Sequence, residues 1–330
     1  MSNYFISTES ESNARVAALN LHTVLEDVSY ILDTDQLSFP TKKPENIGYK
    51  ADPNTEWIIE LVQLNGENFK KNDFEKMFNY EWRTEYESTI YGLAVNDNVW
   101  TYADAGGSPE SYSRLQVAVD LQDVYADSQD YKQEKLDRYI KELQKRIERY
   151  PTKLRLKTNE SADKAIATAK NIISLYQQLD KDAIIVLQSK SSFKGSDTWD
   201  TLQSLGLVWG DGDLFHWENK HDFGHDQHFS VWTSTSPTYF LPEEVKAGNM
   251  NPKNLIFGFS IPRSADPEHI FDILSKAVEY CQKRLGGELL NSNGEPFNLT
   301  AERTDLIEHV SEMKNKGITP GSTLALKMFN

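Results

Sequence analysis

One order of elements runs through this sequence twice, and that repetition limits what the chain can fold into more than any other feature. The first pass begins at "WIIELVQL" (57–64), whose β-branched run reads as a buried strand. "FKKNDFEKMFNYEW" follows with helical spacing, then three strand candidates, "STIYGLAV" (88–95), "NVWTYADA" (98–105) and "RLQVAVDL" (114–121). A polar insert leads into the helical stretch "EKLDRYIKELQKRIERY", which stops at Pro151 because proline cannot continue a helix. A short strand, "KLRLKT" (153–158), and a helix, "ADKAIATAKNIISLYQQL" (162–179), close the pass. From Ala183 the order starts again: strand "AIIVLQSK", helix "DTWDTLQSLG", and strands "LVWGDGDLFHW", "HFSVWTSTS" and "NLIFGFSIP". The long helix "PEHIFDILSKAVEYCQKRLG", the strand "GELLNS" and the helix "TAERTDLIEHVSEMKN" complete it. By this order Val99-Trp100-Thr101 and Val231-Trp232-Thr233 fall in equivalent strands. The period, roughly 125–140 residues, is too long for a solenoid repeat and fits a duplicated domain.

The flanks read differently. Residues 1–11 are polar, and from Ser12 onward Val16, Leu19, Val24, Val28 and Ile31 recur at helical spacing, which predicts an amphipathic helix ending near Leu32. "TKKPENIGYKADPNT" (41–55) holds two prolines and a glycine among polar residues and reads as a linker.

Composition narrows the function classes. A chain of 330 residues is longer than most single cores, in keeping with two domains. With 50 acidic and 35 basic residues the net charge is −15, which disfavours nucleic acid and anionic lipid and suits a soluble cytoplasmic protein. No apolar run approaches the roughly 18 residues of a membrane helix. The opening "MSNYFISTESESNAR" has neither a basic stretch nor an apolar core, so a signal peptide is not expected. Cys281, the one cysteine, excludes an internal disulfide framework and sits within a helical pattern as a small buried hydrophobe.

Strand alternation assigns the faces. Leu255, Phe257, Phe259 and Ile261 share the core face, with Ile256, Gly258 and Ser260 opposite. Ile185 and Leu187 go to the core and leave Ile184 and Val186 on the open face. In the first pass the open face carries Ile58, Glu60, Val62, Trp100, Tyr102, Gln116 and Ala118, a more polar set.

Signals for chemistry are sparse. "HWENKHDFGHDQH" gathers His216, His221, His225 and His228 beside Asp222 and Asp226, but the spacing matches no established metal site and the segment reads as an exposed hairpin loop. "DGD" (211–213) lacks the rest of a calcium loop, and "KELQKRIER" (141–149) alternates charge as a solvated helix face does. Phosphate-loop, dinucleotide, nucleophile-elbow and zinc-protease motifs are missing, so no catalytic residue, metal or cofactor is expected.

Four segments of the second pass carry a resemblance: "LVWGDGDLFHW", "FSVWTSTSPTYFLP", "IFGFSIP", and "RLGGELL" through "TAERTDLIEHVSEM". A Gly-Asp hairpin, a strand ending in a proline turn, a strand closed by Pro262 and a helix stopped at Gly286-Gly287 follow one another in that order. Residues 183–315 thereby resemble the C-terminal domain of the ZipA family, bacterial division proteins that bind the C-terminal tail of FtsZ. Residues 56–181 look like a second, more diverged copy. The resemblance implies an α+β fold of two split β-α-β modules, each a mostly antiparallel sheet with helices on one face, preceded by an N-terminal helix. The expected boundaries are 1–55 for helix and linker, 56–181 and 183–318 for the modules, and 319–330 for a C-terminal tail.

In the family the open sheet face is a shallow apolar groove that takes the partner peptide. Carried over by motif, it implies a peptide site at Ile184, Val186, Gly212, Leu214, Trp232, Ser234, Ile256 and Gly258. The family places methionine and phenylalanine at several of these positions, whereas this chain has Gly212, Ser234 and Gly258 there, and has Trp232 where the family often has a small residue. The chain also departs from membrane-anchored members in showing no N-terminal apolar span or Pro/Gln-rich linker. The expectation is therefore a soluble, non-enzymatic adaptor of cell division that binds a peptide, either the FtsZ tail or its own first module, without itself inserting into a membrane. The alternative is an interaction, immunity or regulatory protein using the same fold for another protein client. In a third arrangement the two open faces pack together and bury Trp100 and Trp232.

Overall fold

The computed structural model describes residues 9–21, 26–40, 49–86, 88–122 and 133–329. They form an α+β protein with two antiparallel sheets. The chain divides into two compact units: residues 41–178 form one, and the described residues up to Pro40 join 179–330 in the other.

The first sheet holds β1 (Glu56–Gln63), β2 (Phe69–Lys70), β3 (Ser88–Ala94), β4 (Trp100–Tyr102), β5 (Ser111–Asp120) and β6 (Leu154–Thr158) in the order β4-β3-β5-β1-β6, with β2 on the start of β5. Trp57, Ile59 and Leu61 alternate onto one face of β1 and are fully buried. Helix Gln133–Ile147 covers that face, its Tyr139 lying 6.2 Å from the ring of Trp57. The expected helix through "FKKNDFEKMFNYEW" is instead the two-residue β2 followed by two short helices, Lys71–Phe74 and Tyr80–Tyr86. Pairing of Phe69 with Tyr112 and the bond from Lys71 N–H to Glu110 O hold its start as strand. The insert at 123–132 and the linker residues 41–48 lie outside the described residues.

The second sheet runs β12-β7-β11-β10-β9-β8, formed by β7 (Asp182–Gln188), β8 (Val208–Trp209), β9 (Phe215–Glu218), β10 (Gln227–Trp232), β11 (Asn254–Ser260) and β12 (Glu288–Leu290). Ile185, Leu187, Val231, Leu255 and Phe257 are fully buried. Helix Pro267–Leu285 packs across β7, β10 and β11 with Ile270, Leu274, Ala277, Val278 and Cys281 inward. That helix stops where Gly286 and Gly287 take positive φ. Gly287 also lets the chain pass close to β7: a Cβ there would lie 2.7 Å from Gln188 O.

Three adjacent strands at one end of each sheet share one arrangement. The strand before the long helix, the first strand and the strand after the helix lie side by side, as β5-β1-β6 and as β11-β7-β12. The intervening strands differ. Beside β5 lies β3, leaving Trp100 on the edge strand β4, whereas Trp232 lies on β10 beside β11. The two Val-Trp-Thr tripeptides therefore do not occupy equivalent strands.

The N-terminal helix ends early, spanning Glu9–Ala18, and Asn20 turns the chain with φ 52°. After 22–25, which lie outside the described residues with the expected helix position Val24, a short 3-10 turn forms at Ser29–Ile31. Val28 N–H donates to Ser204 O at 2.9 Å, and Val28 and Leu32 are buried. This long-range bond draws residues 28–32 out of the helical path. At the other end of the chain, residues Thr323–Met328 form a further helix, with Ala325, Met328 and Phe329 buried.

Candidate functional site

Register places three cross-strand rows on the helix-free face of the second sheet. Leu290 of β12, Val186 of β7, Ile256 of β11 and Trp232 of β10 stand opposite one another in the first row. Ile184, Gly258, Ser230 and His216 form the second. Asp182 and Ser260 begin the third. The face thus grades from apolar at one end to polar at the other.

A cavity of about 720 Å³ opens on this face. It is lined by Gly212, Leu214, Trp232, Ser234, Ile256 and Gly258, six of the eight positions expected from sequence. Ile184 and Val186 share the face and are half-buried, but lie outside the cavity. Trp232, Leu214 and Ile256 are half-buried, while Gly212 and Ser234 are exposed. The Trp232 ring reaches diagonally over Gly258, where a Cβ would come within 2.8 Å of Trp232 Cη2 and 3.1 Å of Ala183 O.

The walls of the groove are fastened by polar side chains. His216 Nε2 donates to Asp211 O at 2.7 Å and its Nδ1 meets Ser230 Oγ at 2.8 Å, which ties the loop carrying Gly212 and Leu214 to β10. Burial holds His216 below the usual imidazole range, consistent with the neutral ring this bonding needs. Phe240 N–H donates to Asp213 O, and Trp209 Nε1 donates to Phe240 O. Arg15 of the N-terminal helix clamps Glu243 with two bonds of 2.6 Å. On the far wall Asn254 Oδ1 accepts from Ser234 N–H and Asn254 Nδ2 donates to Ser234 Oγ.

The histidines do not sit together in an exposed loop. His216 and His228 are buried on the strands β9 and β10, at 5% and 2% exposure. A bulge between Gln227 and Phe229 turns His228 out of simple alternation, and its ring lies 4.4 Å from Trp217 and 6.3 Å from Phe39. Neither ring nitrogen of His228 has a hydrogen-bond partner among the described residues. Burial pushes its pKa down to about 4. His221 stacks on Phe39 at 3.7 Å, and His225 Nδ1 accepts from Gln227 N–H. Among the described residues no three His, Cys, Asp or Glu side chains converge as metal ligands would.

Sequence reasoning missed Arg263, Ser264 and His225, which line the polar end of the same cavity. They follow or precede the strands, where alternation assigns no face. The helix-free face of the first sheet is built differently. Ile58, Tyr91, Trp100 and Ala118 are buried there beneath Ala51. Tyr49 stacks on Tyr102 at 4.6 Å, and its N–H donates to Trp100 O. The chain's own residues 49–51 thus cover part of that face.

Residues 183–306 match the family model of the ZipA C-terminal FtsZ-binding domain. All eight expected groove positions fall inside this ZipA-like region. A curated relative, the cell division protein ZipA of Marinobacter nauticus (strain ATCC 700491 / DSM 11845 / VT8), is 28% identical over 105 residues, or 32% of this chain. The chain spans 30% of that relative's length. Among the described residues of this chain no helix is long and apolar enough to cross a membrane.

Proposed function

We propose that the chain is a non-enzymatic adaptor of cell division in the cytoplasm, and that the helix-free face of its second sheet binds an extended, partly apolar segment of a protein partner, the C-terminal tail of FtsZ. The observation that carries this reading is the apolar row ending in half-buried Trp232 at the mouth of a groove, on the region that matches an FtsZ-binding domain. Contiguous apolar surface of this kind marks a contact, and aromatic rings are typical anchors. The first sheet supports the mode of binding, because part of its own helix-free face is covered by a short length of chain around Ala51. The shared order of three adjacent strands at one end of each sheet supports reading the first unit as a diverged copy of the second.

A segment that orders on binding gives modest affinity, on the order of micromolar. The test is a titration of the native chain and a Trp232→Ala variant with an FtsZ tail peptide, with melting temperatures measured in parallel. Trp232→Ala is expected to weaken binding by roughly 2 kcal/mol while leaving stability nearly unchanged. Equal affinity with a marked loss of stability would assign the ring to packing. Binding by neither protein would remove FtsZ as the client and favour a different protein segment in the same groove, a reading that the small residues Gly212, Ser234 and Gly258 also suit.

A further inference from the structure

The groove has a polar end where three buried donor groups have no partner among the described residues. Arg263, Ser260, Ser264 and His225 all line the cavity there. Arg263 Nε, Ser260 Oγ and Ser264 Oγ are buried and make no hydrogen bond among the described residues, and Ser264 is only 4% exposed. No salt bridge engages Arg263 among the described residues, although the chain carries 50 acidic residues against 35 basic ones. His225 accepts from Gln227 N–H through Nδ1, so in its neutral form Nε2 carries a proton to donate. The backbone beneath these groups is held: His225 N–H donates to Arg263 O at 2.9 Å, Gly321 N–H to Pro262 O at 2.8 Å and Ile261 N–H to Lys181 O at 3.0 Å. Buried donors without acceptors are costly, and a guanidinium is the most costly of them.

The geometry points to a carboxylate subsite: Arg263, with Ser260, Ser264 and His225, receives an Asp or Glu side chain, or a terminal carboxylate, of the segment whose apolar residues lie on Ile256 and Trp232. This rests on the peptide-docking reading above and names the chemistry of its occupant. A carboxylate accepts up to about four bonds and pairs with a guanidinium at its fixed fork, so one group satisfies several of these donors at once. The opposing charges at this end are Asp182, which stands across from Ser260 and also lines the cavity, and Asp226, whose charge acts on His225. They make the end suited to a single carboxylate rather than to a polyanion. Arg263 depresses the titration of His225, second to burial, so an anion seated between them would reverse part of that effect.

The probes are capped octapeptides alternating leucine and threonine, with one Asp moved through the threonine positions, and a matching Asn set. In the native chain at least one Asp peptide is expected to bind about tenfold more tightly than its Asn twin, with the preference shrinking as salt is raised. In Arg263→Gln, checked for an unchanged melting temperature, the Asp preference is expected to vanish while the Asn twin binds as before. The His225 pKa, followed by NMR, is expected to rise when the preferred peptide binds. Equal affinity within every Asp–Asn pair, with binding still lost in Trp232→Ala, would overturn the carboxylate subsite and leave the docking reading standing. Persistence of the preference in Arg263→Gln would also overturn it. Failure of every octapeptide to bind would overturn both.

Discussion

The Cη2 atom of Trp232 lies where a side chain on Gly258 would have to go, 2.8 Å from the position of its Cβ. The two residues are diagonal neighbours across β10 and β11, and Ala183 O bounds the same spot at 3.1 Å. The tryptophan therefore rests on the glycine, and the groove floor depends on the absence of a side chain there. Gly258→Ala is expected to tilt the ring and cost about 1–3 kcal/mol of stability, the range for overpacking. Tryptophan fluorescence and thermal melting would read this, and an unchanged melt with an unchanged spectrum would show that the ring does not rest on Gly258.

A second prediction concerns His228. The folded protein holds its pKa near 4, against an ordinary value of 6.5. Between those values the folded chain binds fewer protons than the unfolded chain, so stability is complete above pH 6.5 and falls as pH drops toward 4. A shift of this size is worth roughly 3 kcal/mol at most. Urea melts at several pH values should show the native chain losing stability more steeply than His228→Phe over that window. Parallel pH curves for the two proteins would refute the assignment.

The glycine pair after the long helix gives a graded test. Gly286 has open space at its Cβ position, so Gly286→Ala carries only the backbone penalty of its φ 77°, ψ −164° conformation, about 1–3 kcal/mol. Gly287→Ala meets Gln188 O at 2.7 Å as well and is expected to cost about 2 kcal/mol or more beyond that. Denaturant midpoints would rank the two, and equal losses would mean that β12 shifts freely away from β7.

Residues 26–40 belong energetically with the second unit. Val28 and Leu32 are buried, Phe39 stacks on His221, and Ser38 N–H donates to Asp266. A fragment starting at residue 179 is expected to be less stable than the whole unit by at least about 3 kcal/mol, the worth of two buried aliphatic side chains. Addition of a peptide covering residues 9–40 should recover part of the loss. Identical melts with and without the N-terminal residues would contradict the packing described.

Cys281 is fully buried in the long helix, and burial pushes its thiol pKa up. It should react with an aromatic disulfide reagent only at the rate of unfolding. Rapid labelling of the native chain would place the thiol at the surface.

Local pattern was enough for several parts of this protein. Two-residue alternation in "AIIVLQ" and "LIFGFSI" placed Ile185, Leu187, Leu255 and Phe257 inside and Ile184, Val186, Ile256 and Gly258 on the other face, because a strand's side chains have no third direction. The helix stop at Gly286-Gly287 was legible for a similar reason, since left-handed backbone favours glycine. What alternation does not contain is which strands become neighbours. The pairing of β3 with β5, and of β10 rather than β9 with β11, is decided by bonds between residues far apart in the chain, and it separates Trp100 from Trp232. The same holds for Ala51 lying over Ile58 and Trp100, and for Val28 bonding to Ser204. At His228 a bulge overrode the strand period. Arg263 shows the limit most directly: its sequence context is a turn after a strand, and only the folded chain decides that no carboxylate among the described residues forms a salt bridge with it, because pairing depends on what the tertiary structure brings within a few ångströms.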